Sequence, residues 1–110
     1  MSARLQMVSE HKIELIYGSD CPNVDAARTQ LRLALSEASL GLPWQEWCTD
    51  DPLIPPHALG YGSPTVLVDG RDVAGSKADL KARACRVYAG NERLSRVPSV
   101  KSIVAALRSA

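Results

Sequence analysis

The stretch KIELIYGSDCPNV, residues 12–24, decides the fold. In its first half Ile13, Leu15 and Tyr17 alternate with Glu14 and Ile16, and Gly18 closes the run, a pattern that predicts a strand. Both sides of the run carry apolar residues, which suits an interior strand covered on each face. The second half puts Cys21-Pro22 at the head of the next element. Pro22 fits the first helical position, where a missing N–H costs nothing. Downstream, Ala27, Leu31, Ala34, Leu35 and Ala38 recur at helical spacing on one face, while Asp25, Arg28, Arg32 and Ser36 fall elsewhere. Gly41 is the expected stop.

Beyond that strand–helix unit, WQEWCT (44–49) predicts a shorter strand. DDPLIPPHALGYG (50–62) carries three prolines and allows a loop with at most a short helix around Pro56–Leu59. PTVLVDGRDVAG (64–75) predicts a strand, an Asp69-Gly70 turn and a returning strand, because both turn residues must tolerate positive φ. KADLKARACRVY leaves room for a short helix, and AGNERLSR reads as loop. Val100, Ile103, Val104 and Leu107 stand at i, i+3, i+4 and i+7 behind Ser99, a suitable N-cap, so an amphipathic helix closes the chain. A strand–helix–strand unit implies parallel strands with a right-handed crossover, and the hairpin adds an antiparallel pair. The expected fold class is α/β, a four-stranded mixed sheet flanked by helices in the order βαβαββα.

The totals suit this reading. One domain is expected over 1–110, with 1–11 loosely held and 76–97 a lid-like connection. Phenylalanine is absent, so aliphatic residues and the two tryptophans, Trp44 and Trp47, must fill the interior. Thirteen basic and 12 acidic residues leave a net charge of +1, which gives nucleic acid no basic face to bind. No apolar run is long enough to span a bilayer, and residues 1–11 lack a signal peptide's apolar stretch, so a cytoplasmic protein is expected. Three cysteines are too few for a disulfide scaffold.

The element order is similar to that of the thioredoxin and glutaredoxin superfamily. Cys21-Pro22 stands at the end of the first strand, and Ser63-Pro64-Thr65 begins the third. The phrases DCPNV (20–24), GSPTVLVDGRD (62–72) and ACRVY (84–88) resemble those of a small bacterial group within that superfamily, some of whose members are described as alkylmercury lyases or lyase-associated proteins. The resemblance implies a thioredoxin-like fold, an active-site cysteine at Cys21 and a cis peptide bond at Ser63-Pro64 facing it, with Pro22, Ser63, Pro64 and Thr65 shaping the groove for a thiol partner. Val24 departs from the pattern: it stands where a Cys-X-X-Cys pair would place its second sulfur.

The residues themselves frame the chemistry. A thiol at a helix N-terminus meets the positive end of the helix dipole and unpaired backbone N–H groups, both of which favour thiolate. The plain alternative is a small residue tolerated at a turn. A single active-site thiol needs another, internal or external, to release its mixed disulfide. Strand directions put everything from Gly75 to the last helix on the Cys21 side, which makes Cys85 a candidate second thiol or an inert hydrophobe under the lid. Cys48, beside Trp47, reads as buried filler. Arg83 and Arg86 read as solvated, or as anchors for a substrate carboxylate if the lid closes. His11 and His57 read as surface residues with no base or nucleophile beside them.

No cysteine pair has Cys-X-X-Cys spacing and no histidine stands within four residues of a cysteine, so no metal site and no cofactor are expected. The expected function is thiol–disulfide exchange through Cys21, with a small-molecule or protein thiol or disulfide as partner. Two other readings stay open. One is soft-metal or organomercury binding by Cys21 and Cys85; the other is a non-catalytic interaction module on the same fold.

Overall fold

The structure, a computed structural model, describes residues 11–41, 43–75, 88, 89, 94, 95 and 97–108. Strand β1 (Ile13–Tyr17) leads to helix α1 (Val24–Glu37) and strand β2 (Gln45–Cys48). A 3-10 turn (Pro56–Ala58) precedes the hairpin of β3 (Thr65–Val68) and β4 (Arg71–Asp72). Helix α2 (Val100–Arg108) follows. The sheet order is β2-β1-β3-β4, with β1 parallel to β2 and antiparallel to β3. This is an α/β fold with a four-stranded mixed open sheet and two helices.

The hairpin forms for the expected reason. Asp69 (φ 53°) and Gly70 (φ 83°) both take the left-handed region that a tight two-residue turn demands. Asp69 N–H donates to Lys12 O at 2.8 Å, which fastens the turn to the start of β1. Ser99 caps α2 as its sequence position suggests: its Oγ accepts from Ser102 N–H at 3.0 Å and its carbonyl from Ile103 N–H at 3.1 Å.

Both ends of α1 differ from expectation. The helix opens at Val24, with Asn23 as N-cap and Pro22 in the preceding turn. It ends at Glu37, well before Gly41. Ser39, at φ 59°, makes the left-handed reversal, Ser39 N–H donating to Ser36 O and Leu40 N–H to Leu35 O. This is a Schellman stop, whose usual apolar contact is made by Leu40 packing on the cluster that contains Leu35. Folding Leu40 back onto the core requires the reversal at Ser39, upstream of the glycine.

The helix-facing side of the sheet packs Ile13, Leu15, Val66 and Val68 against Ala27, Leu31, Ala34 and Leu35 of α1 and Ile103, Val104 and Leu107 of α2. Each fully buried aliphatic side chain contributes about 1.5–3 kcal/mol of transfer free energy, an upper figure because the unfolded chain is itself partly collapsed. Both helices share this one side. Among the described residues the opposite side is covered by the 50–62 segment, whose Ala58, Ile54 and Tyr61 pack over Ile16, Leu67 and Trp47. The 3-10 turn Pro56–Ala58 stands where at most a short helix was expected.

Tyr88–Ala89 and Leu94–Ser95 pair as a short antiparallel ladder, β5 and β6, where AGNERLSR reads as loop. The short helix considered within KADLKARACRVY and, of the start expected to be loosely held over 1–11, residues 1–10 lie outside the described residues, while His11 is held against Asp69. No described helix is long and apolar enough to cross a membrane.

Candidate functional site around Cys21

β1 delivers the chain to one end of the sheet, and the turn 18–21 reverses it toward α1. Cys21 N–H donates to Gly18 O at 3.1 Å, closing that turn. The Cys21 side chain is buried, with the residue 7% exposed. Cys21 stands two residues before the N-cap of α1, so it approaches the helix mouth from the turn and does not open the helix.

Gly18 is the junction of the site. Its N–H donates to Ser63 Oγ at 2.8 Å, so the turn bearing Cys21 is bonded to the residue before Pro64. A Cβ at Gly18 would lie 3.5 Å from Asp20 Oδ1, 3.7 Å from Thr49 Oγ1 and 3.8 Å from Ser63 Cβ, so three loops converge on this glycine. Two further bonds lace the β2 corner to the same turn: Thr49 N–H to Tyr17 O at 2.8 Å, and Ser19 Oγ–H to Asp50 Oδ2.

The Ser63-Pro64 peptide bond is cis. Ser63 is 7% exposed, Pro64 is fully buried and Thr65 has no exposed surface. Thr65 Oγ1 donates to Gly62 O at 2.6 Å. These residues are committed to the interior. Pro22 is exposed beside the thiol.

Cys48 pairs with Tyr17 in the β1–β2 register and is partly exposed, which corrects its reading as buried filler. It ends β2, which has only β1 as a strand neighbour among the described residues. Cys85, Arg83 and Arg86 lie outside the described residues, so Cys21 is the one candidate catalytic sulfur whose surroundings are described.

A charged clamp secures the first turns of α1 near this site. Arg28 donates from Nε and Nη2 to the two oxygens of Glu46 at 2.9 and 2.8 Å, and from Nη1 to Asp25 at 2.6 Å. Its guanidinium lies 5.7 Å from the centre of the Tyr17 ring. The hydrogen bonds to Arg28 hold the Glu46 carboxyl below the usual range against the opposing effect of burial, with Trp44 Nε1–H helping at 2.9 Å. The same contact raises Arg28 above its ordinary value.

Both histidines have carboxylate partners that sequence reading missed. His11 Nδ1 lies 2.6 Å from Asp69 Oδ2, and its side chain is only 14% exposed. His57 Nε2 lies 2.6 Å from Glu14 Oε2, which also accepts from Trp47 Nε1–H at 2.8 Å. Glu14 is wholly buried. A usable signal was present: a glutamate inside a strand read as covered on both faces must find a polar partner.

Compared with family models, curated proteins and solved structures, the chain matches none.

Proposed function

We propose that the chain is a thioredoxin-like protein that carries out thiol–disulfide exchange through Cys21. The observation that carries this reading is the Gly18 N–H to Ser63 Oγ bond, which joins the cysteine turn to the segment entering β3. The bond holds the sulfur-bearing turn against the segment that, in this reading, meets the partner. The topology agrees: β1 runs toward the Cys21 end and antiparallel β3 starts there.

In this reading the Cys21 thiolate attacks one sulfur of a partner disulfide. The Cys21–partner bond forms, the partner's S–S bond breaks, and the second partner sulfur leaves as thiolate. A thiol from outside, or Cys85, then attacks the mixed disulfide and restores Cys21. Ser63, Pro64 and Thr65 line the path of the partner's backbone, and Pro22 borders the thiol. The partner is a small-molecule or protein thiol or disulfide. A reducing, cytoplasmic setting suits thiol exchange of this kind.

The experiment is a mixed-disulfide trap with a small aromatic disulfide, followed by intact mass and peptide mapping. Cys21 is expected to take up one adduct first, and Cys21→Ser to abolish that fast phase while Cys48→Ser leaves it. Equal rates at all three cysteines, or Cys21 slowest, overturns the proposal.

A further inference from the structure

The Glu14–His57 contact has a feature that packing does not explain. Glu14 Oε2 accepts from Trp47 Nε1–H at 2.8 Å and lies 2.6 Å from His57 Nε2, yet Oε1 of the same carboxyl is buried with no hydrogen-bond partner. The Glu14 side chain is 1% exposed, and His57 is its one ion-pair partner among the described residues. Register sets Gln45 and Leu67, neither of them ionisable, on either side of Glu14. Asp72, beyond Leu67 in the same row, accepts from Ala74 N–H. Asp50 and Asp51 accept from Ser19 and from Leu53 N–H, Glu46 grips Arg28, and Tyr61 packs over Ile16 and Leu67.

Glu14 and His57 therefore bind protons as one unit. With one proton between them, as imidazolium and carboxylate or as imidazole and acid, the unit is neutral overall. Without that proton it is a buried anion with both donors on a single oxygen, a state that burial strongly disfavours. Lifting the covering segment and admitting water to Glu14 relieves it.

The position of His57 connects this to the thiol site. It stands on the 3-10 turn within the 50–62 segment, whose Ile54, Ala58 and Tyr61 cover Ile16 and Leu67. Its side chain is 44% exposed, so protons reach the unit from solvent. Both ends of the segment meet the Cys21 turn: Asp50 accepts from Ser19 Oγ–H, and Ser63, the residue after Gly62, accepts from Gly18 N–H.

We propose that Glu14 and His57 form a proton-controlled latch. The 50–62 segment lies closed on the sheet while the unit holds one proton, and loss of that proton lifts the segment and loosens the turn that buries Cys21. The latch governs access to Cys21 whether or not that thiol exchanges disulfides.

The test is hydrogen–deuterium exchange of the full chain from about pH 5 to about pH 9, the range that brackets imidazole titration. Exchange of 50–62 is read as a ratio to exchange of the 65–72 hairpin, which cancels the base catalysis common to both. The ratio is expected to rise through one transition toward alkaline pH. Glu14→Gln, which carries no charge, should abolish the transition, and His57→Gln should move it to lower pH. Iodoacetamide labelling of Cys21, mapped by peptide mass, should rise across the same transition relative to Glu14→Gln. Should Glu14→Gln fail to fold, the half-exposed His57→Gln variant serves for both readouts. No transition, a transition unmoved in His57→Gln, or a flat labelling ratio overturns the proposal.

Discussion

Arg28 on α1 grips Glu46 on β2 with two near-parallel hydrogen bonds of 2.9 and 2.8 Å. A fork meeting a fork is geometry that lysine lacks. Arg28→Lys keeps the charge and loses one prong, and is expected to destabilise by about 1–2 kcal/mol. A urea titration reads this as a lower midpoint at unchanged slope. An unchanged midpoint would show the pair to be replaceable by water.

Acid should loosen the fold through its depressed carboxyls. Glu46 is held low by Arg28. At Asp69 burial pushes upward, but the Lys12 amide and His11 outweigh it, and the net direction is down. Carboxyls depressed in the folded state stabilise above their unfolded values, and that stabilisation fades as pH falls through the folded values. Stability should therefore be level near neutrality and decline below about pH 4 to 4.5. Glu46→Gln should flatten the decline in denaturant titrations run across that range. The same slope in the variant would remove Glu46 from the account.

Ser39 holds a left-handed conformation at φ 59°, a position glycine fills more cheaply. Ser39→Gly is expected to stabilise by about 0.5–1 kcal/mol after its greater unfolded-state freedom is subtracted. Thermal melts should show a higher midpoint. A lower one would mean that the serine side chain contributes more than its backbone costs.

Leu31 has no exposed surface and sits where both helices meet the sheet. Leu31→Ala should cost about 2–5 kcal/mol, a large share of a small domain's stability. Chemical denaturation measures it directly. A loss well under 1 kcal/mol would mean the surrounding side chains collapse into the space.

Ser63→Ala removes the acceptor of Gly18 N–H and should cost about 1 kcal/mol in stability. If the groove reading holds, it should also slow adduct formation at Cys21 with bulky disulfides more than with small alkylating agents. Proportional slowing of both would separate Ser63 from partner positioning.

The regular elements were legible because their signals are local. Alternation over 13–17 marks a strand, Asp69-Gly70 marks a hairpin, and Ser99 ahead of an apolar stripe marks a helix start. The stop of α1 was not legible, because the reversal at Ser39 is set by Leu40 returning to the core and not by the nearest glycine. Cys21 and Ser63-Pro64 were legible as candidates, but their link through Gly18 spans 45 positions and rests on tertiary structure. The Glu14–His57 contact, 43 positions apart, was invisible for the same reason. Reading His57 from its proline-rich surroundings gave its surface position but not its carboxylate partner.

Trp44 precedes β2 and Trp47 lies within it, yet they pack on opposite layers, Trp44 against the helices and Trp47 beneath the 50–62 segment. Each indole N–H is held by a different carboxylate. The chain thus contains a pair of native optical reporters. Emission from a Trp47→Phe protein follows the helical layer, and emission from a Trp44→Phe protein follows the strap of loop on the far side. Loosening of one layer ahead of the other would appear as two fluorescence transitions at different denaturant concentrations, with no dye or label introduced.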